Sequence, residues 1–152
     1  MRRLVGVIGA LTLTALAAAA FAGAPVGIGQ VQVEVKENTV GKEKGTKYLR
    51  VHFTATVNEP VAKGMTVLVH GDCKSDVRSK EGDISALGAK LDTLAPGGTK
   101  DIVVPLFISD GFHSRPNTCD LVFRYGKMGT RAGDKLASYC WSGGVAKEGA
   151  CQ

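Results

Sequence analysis

The stretch YLRVHFTATV, residues 48–57, decides the fold class of this chain. Its odd-numbered positions are apolar throughout, from Leu49 to Val57. The positions between them carry polar or amphipathic side chains: Tyr48, Arg50, His52, Thr54 and Thr56. Because successive side chains of a strand point to opposite faces, this alternation predicts a β-strand with one buried and one solvent-facing side.

Six further runs have the same period of two. They lie at residues 30–36, 65–73, 91–94, 102–108, 119–125 and 135–141. Gly, Pro, Asn and Asp separate them, which is typical of turns between short strands. Outside residues 1–22 no segment keeps a helical period for three turns, although residues 79–90 could form a short helical turn. The sequence therefore predicts an all-β domain, an antiparallel β-sandwich of seven strands.

One proline interrupts the run at residues 102–108. Pro105 has no backbone N–H and cannot donate a hydrogen bond to a neighbouring strand, so prolines within sheets are confined to edge strands and bulges. We therefore predict that this strand is an edge strand or carries a bulge.

Residues 1–22 are typical of a secretory signal peptide. The start is positively charged, residues 4–20 carry no charge, and Ala20 and Ala22 place small side chains before a cut at Gly23. We predict cleavage at this position.

A membrane anchor is the alternative reading of the same segment, because its apolar stretch is long enough to span a bilayer. Alanine dominates the second half, however, and no basic cluster follows. Cleavage would leave a single domain of residues 23–152 with no membrane span.

The net charge argues against a nucleic-acid partner. The 152-residue chain has a formal charge of +5, and removal of Arg2 and Arg3 with the leader lowers it by two. Such a mild excess does not provide the basic surface that nucleic-acid binding requires.

All four cysteines lie in the predicted mature part: Cys73, Cys119, Cys140 and Cys151. An even number in an exported chain predicts two disulfides, for which three pairings are possible. The pairing with the shortest loops joins Cys140 to Cys151 and Cys73 to Cys119. Cys73 and Cys119 also share the parity of the apolar residues in their strands, so both should face the core. No two cysteines have CxxC spacing, which disfavours zinc and redox motifs.

Three segments resemble bacterial immunoglobulin-like domains of the adhesion-associated (CARDB-like) kind. They are TATVNEP at residues 54–60, MTVLV at residues 65–69 and LAPGGT at residues 94–99. The resemblance covers about residues 30–125 and lies mainly in turn residues. It departs from antibody domains, since the only tryptophan, Trp141, is outside the third strand. The resemblance implies an immunoglobulin-like sandwich, extracellular or envelope placement and a binding or spacer role without catalytic residues.

A periplasmic metal-binding protein is a second interpretation. If the strands at residues 48–57 and 65–73 formed a hairpin, His52 and His70 would lie opposite each other and could share a metal. The connection between the strands suits a link between sheets equally well, and an immunoglobulin-like arrangement would separate the pair. Two histidines also fall short of the four ligands usual for a structural metal.

The segment DGFHSRPN, residues 110–117, is a candidate partner-binding loop. Phe112, His113 and Arg115 combine an aromatic ring with groups that often anchor interfaces. The alternative is that Phe112 caps the core. A third interpretation of the protein follows from this loop, namely a small secreted inhibitor.

Lysines cluster around the first predicted turn, with two glutamates among them. The lysines are Lys36, Lys42, Lys44 and Lys47, and the glutamates are Glu37 and Glu43. Such a cluster is typical of a solvated loop, and the alternative is contact with an anionic glycan or protein.

Signatures of catalysis are weak in this chain. It has no GxSxG motif, its acidic residues lack calcium-loop spacing, and its cysteines are expected to be oxidised. We therefore predict a cofactor-free, non-enzymatic binding or structural module of the cell envelope or extracellular space, whose partner is a protein or a glycan.

Overall fold

A computed structural model describes residues 23–74, 79–81, 90–107 and 115–152, the side chains of 79–81 excepted. The predicted leader, Phe112 and His113 lie outside these residues. The described strands are β1 (Val26–Glu37), β2 (Lys47–Val57), β3 (Met65–Lys74), β4 (Ser79–Glu81), β5 (Thr99–Phe107), β6 (Thr118–Lys127), β7 (Gly133–Ser142) and β8 (Val145–Glu148).

The strands form two antiparallel sheets. One has three strands in the order β1-β2-β5, and the other has five in the order β4-β3-β6-β7-β8. The all-β prediction is confirmed. Within the described ranges there is no helix long and apolar enough to cross a membrane.

Two of the predicted elements are wrong. Residues 91–94 form a turn instead of a strand, in which the Leu94 N–H donates to the Leu91 carbonyl over 3.0 Å. Leu91 is fully buried and Leu94 packs against the core, so their apolar character reflects burial of the turn. At residues 79–81 the expected helical turn is replaced by β4, which pairs with β3, and residues 82–89 of that prediction lie outside the described residues.

The inner faces of the two sheets share one hydrophobic core. Leu49, Val51 and Phe53 of β2 are fully buried, as the alternation predicts. Burial of each such side chain stabilises the fold by about 1.5–3 kcal/mol. Phe123 of β6 contacts Phe53 edge-on at 5.0 Å between ring centroids, and this contact joins the two sheets. Within the five-stranded sheet Phe123 also contacts Tyr139 of β7 at 5.7 Å.

A glycine lets the sheets approach closely on the β5 side. A Cβ at Gly71 of β3 would lie 2.3 Å from Leu106 Cδ2 and 3.2 Å from Leu121 Cδ2. Both leucines are fully buried, so neither has free space to move into. Gly71 is therefore required by packing between β3 and β5.

The disulfides join Cys73 to Cys119 and Cys140 to Cys151, which is the pairing with the shortest loops. Cys73 and Cys119 are directly opposite in the register of β3 and β6 and fully buried, as their parity predicts. The bridge therefore links neighbouring strands of one sheet. Two disulfides indicate an oxidising compartment, extracellular or periplasmic.

Pro105 lies in an edge strand, as predicted. In the described part of the chain β5 pairs with β2 alone, at the border of the three-stranded sheet. The strand that lacks this N–H donor therefore needs to pair on one side only among the described residues.

Candidate functional site

The outer side of the three-stranded sheet carries mostly polar, charged and aromatic side chains. We call it the open face and define it by these residues: Gln32, Glu34, Lys36, Tyr48, Arg50, His52, Thr54, Asp101, Val103, Pro105 and Phe107. They alternate with core residues along β1, β2 and β5 and have the opposite parity to the buried positions.

The register brings these residues into rows across the sheet. Arg50 of β2 lies between Glu34 of β1 and Pro105 of β5. His52, two residues along β2, lies between Gln32 and Val103 in the same way. Same-face neighbours along a strand are about 7 Å apart, so the two rows form one patch.

A shallow depression of about 180 Å³ lies within this patch. Its lining residues come from all three strands: Gln32, Glu34, Arg50, His52 and Val103. Val103 is 40% exposed and provides an apolar part among the polar groups. The depression is thus open to solvent and surrounded by hydrogen-bonding side chains.

The side chains of Arg50 and His52 are available to a ligand in this depression. Glu34 forms an ion pair with Lys36, in which Oε2 and Nζ are 3.0 Å apart. Arg50 is the residue opposite Glu34 on the neighbouring strand, but it does not form this ion pair. The Lys36 hydrogen bond and charge lower the pKa of the Glu34 carboxyl, with smaller contributions from Arg50 and His52. Arg50 and His52 are exposed and form no ion pair or side-chain hydrogen bond among the described residues.

Two fixed contacts border the depression. On one side Tyr48 and Phe107 stack at a tilt, with ring centroids 5.4 Å apart, and Phe107 is 46% exposed. On the other side the Thr54 hydroxyl donates to Asp101 Oδ1 over 2.8 Å. The open face therefore offers an aromatic surface, a guanidinium, an imidazole and an amide side by side.

The structure does not bring His52 and His70 together. β2 and β3 belong to different sheets, so the hairpin required for the metal interpretation is not formed. His70 alternates with the buried residues Val69 and Gly71, which places it on the outer side of the five-stranded sheet. Across the described ranges, no three His, Cys, Asp or Glu side chains are grouped closely enough to hold a metal ion.

The other predicted site residues are only partly described. Arg115 is exposed, whereas Phe112 and His113 fall in the range that the structure does not describe. Of the lysine cluster, Lys36 pairs with Glu34 and Lys47 with Glu37. The remaining two, Lys42 and Lys44, are exposed in the turn between β1 and β2.

The sequence pattern identifies the polar side of β2, but it does not identify the residues of β1 and β5 that line the depression beside it. The alternation at residues 48–57 placed Arg50 and His52 on one solvent-facing side. It could not show that Gln32 and Val103 flank His52, because those neighbours depend on long-range strand pairing.

Comparison with protein families, with curated proteins and with solved structures found no match to this chain. The geometry of the open face therefore carries the functional argument. An exposed guanidinium and imidazole around a shallow depression can bind an anionic or polar group without any covalent step.

Proposed function

We propose that this protein is an exported, non-catalytic binding module of the cell envelope or extracellular space, and that its ligand binds on the open face. The observation that carries the proposal is the depression between β1, β2 and β5, where Arg50 and His52 are exposed and form no ion pair or side-chain hydrogen bond with a described residue. Arginine and aromatic side chains are the usual anchors of binding surfaces, and Tyr48 and Phe107 lie in the adjoining row.

The strand order supports an immunoglobulin-like assignment of the fold. Strands β1, β2 and β5 share one sheet, and β3, β6 and β7 share the other. Immunoglobulin-like sandwiches divide their A, B and E strands from C, F and G in the same way. The assignment to the adhesion-associated kind rests on the turn residues of the sequence.

Export is supported by two independent features. The sequence of residues 1–22 has the layout of a signal peptide, and all four cysteines of the chain form disulfides. The intact mass of the exported protein should be that of a chain beginning at Gly23, less the four hydrogens that are lost when two disulfides form. A mass that retains residues 1–22 would contradict cleavage.

The binding proposal is tested by immobilising the oxidised domain, residues 23–152, and exposing it to an envelope fraction of the source cells. Arg50→Glu reverses the charge in the depression, and Lys63→Glu makes the same change in the exposed loop between β2 and β3. We expect the wild type and the Lys63 variant to retain the same component and the Arg50 variant to lose it. Equal retention by all three proteins would refute the proposal.

A further inference from the structure

The open face also indicates which class of ligand it fits. We infer that the depression binds the carboxylate of an acidic saccharide, and that the neighbouring ring of this saccharide packs on the Tyr48–Phe107 pair. This inference rests on the proposed function, since it names the ligand of the same site.

The charge of the site favours a carboxylate. Glu34, the acidic residue in the lining, forms its ion pair with Lys36, so Arg50 makes no ion pair or side-chain hydrogen bond with any described residue. A guanidinium presents two parallel N–H donors that match the two oxygens of a carboxylate. The His52 imidazole and the Gln32 amide, on neighbouring strands in the next row, can donate further hydrogen bonds to ligand oxygens.

The position of the depression disfavours an extended peptide. Peptides that add to a sheet do so at an edge, through unpaired backbone groups. The depression instead lies over β2, whose backbone is paired with β1 on one side and β5 on the other. A ligand there must be recognised by side chains alone, which suits a saccharide with many hydroxyl groups and a carboxylate.

The aromatic pair gives the saccharide ring a surface. Tyr48 precedes Arg50 by two residues on the same face, so the rings begin about 7 Å along the strand from the guanidinium row. Phe107 is exposed enough to be covered by a ligand. A sugar that places its carboxylate on Arg50 can therefore lay the apolar face of the next ring on Phe107.

The test measures binding of a short oligogalacturonate to the oxidised domain by titration calorimetry at low ionic strength. A neutral galactose oligomer of the same length and a poly-glutamate peptide of similar charge serve as comparison ligands. We expect oligogalacturonate to bind, the neutral oligomer to bind at least about tenfold more weakly, and poly-glutamate to bind more weakly than oligogalacturonate.

Two variants and a matched control locate the site. Arg50→Gln should weaken oligogalacturonate binding about tenfold or more, because a charge-assisted contact is lost. Phe107→Ala should weaken it about threefold or more and leave poly-glutamate unaffected, because only the sugar ring uses the aromatic surface. Lys63→Gln removes one positive charge outside the open face and should leave binding unchanged. Thermal unfolding of each variant shows that it is folded.

Several results would overturn the inference. They are no binding of oligogalacturonate, equal binding of the neutral oligomer or of poly-glutamate, and an equal loss with Lys63→Gln. If oligogalacturonate does not bind while Arg50→Glu still abolishes capture of the envelope component, the inferred ligand class is wrong and the binding proposal stands. If both experiments fail, the proposed function is wrong as well.

Discussion

The outer sides of the two sheets are built differently. On the five-stranded sheet, Thr66 and Leu68 of β3 are buried although they alternate with core residues, and the C-terminal tail lies against β6. There the Cys151 N–H donates to Asp120 Oδ1 over 2.6 Å, and the Cys140–Cys151 disulfide fixes the tail to β7.

The open face of the three-stranded sheet has no comparable cover among the described residues. Arg50, His52 and Val103 remain exposed. Exposed side chains that make no structural contact contribute little to stability. Folding therefore places little constraint on which residues occupy these positions, and ligand binding can determine them instead. The comparison therefore gives the outer side of the five-stranded sheet a structural role and leaves the open face as the side where we propose that a ligand binds.

The largest effect on stability is expected from the buried disulfide. Replacing Cys73 and Cys119 together by Ala opens a loop of 46 residues and should lower the free energy of unfolding by about 4 kcal/mol in the chain-entropy model. Cys140→Ala with Cys151→Ala opens a loop of 11 and should cost about 3 kcal/mol. Denaturant unfolding measures both, and a larger loss for the second pair would contradict this order.

A smaller loss should follow from Gly71→Ala. The added methyl group would overlap Leu106, and overpacking of this kind costs about 1–3 kcal/mol. Gly29→Ala is the matched control in the three-stranded sheet, because a Cβ there meets nothing within 4 Å. Denaturant midpoints should fall for Gly71→Ala alone, and equal shifts would show that close sheet packing is not the cause.

Tyr139 links the two sheets and should make stability fall in alkaline solution. Its hydroxyl donates to the Ile28 carbonyl over 3.3 Å. Burial, with a smaller effect of the Glu148 carboxylate, raises the pKa of the phenol above its usual 10.0. Because the folded state favours the protonated phenol, the stabilisation is complete below pH 10 and is lost as the pH rises through the folded pKa.

Tyr139→Phe removes this titration at the cost of one neutral hydrogen bond, about 1 kcal/mol. Unfolding free energies measured from pH 8 to 12 should decline less steeply for the variant than for the wild type. Parallel declines would show that Tyr139 does not titrate with folding.

The smallest effect on stability is expected on the open face. Arg50→Gln and His52→Gln should each change the free energy of unfolding by less than about 0.5 kcal/mol, because neither side chain has a partner among the described residues. A loss above about 1 kcal/mol for either variant would show that the open face is structural, and the contrast between the two outer sides would fail.

Much of the fold could be predicted from local pattern. The alternation in residues 48–57 gave the buried and exposed sides of β2, and Pro105 marked an edge strand. β4 and β8, with three and four residues, are too short for a period to be visible. Residues 91–94 form a turn whose apolar residues resemble those of a strand. The pattern could not distinguish the two structures, because the leucines are apolar on account of their burial in the core.

The first strand begins earlier than the alternating pattern of residues 30–36 predicted, and a bulge explains why. The strand begins at Val26, but its register shifts between Gly29 and Gln32, and Gln30 has a positive φ of 51°. This bulge reverses the parity, so Val26 and Ile28 face the core together with the later Val31 and Val33. A strict alternation therefore becomes visible only from residue 30 onwards.

The candidate site was less predictable than the fold. Arg50 and His52 could be placed on a solvent-facing side, but the depression depends on which strands flank β2 and in what register. The pairing of His52 with His70 failed for the same reason, since it required two consecutive strands to be neighbours in one sheet.

Residue-resolved amide NMR of the oxidised domain, titrated with oligogalacturonate, tests the central claim most directly. The account predicts shifts concentrated in β1, β2 and β5 around Arg50 and His52, with the Asp120 region of the five-stranded sheet unchanged. Shifts concentrated on that region, or an absence of shifts near Arg50 at saturating ligand, would contradict the assignment of binding to the open face.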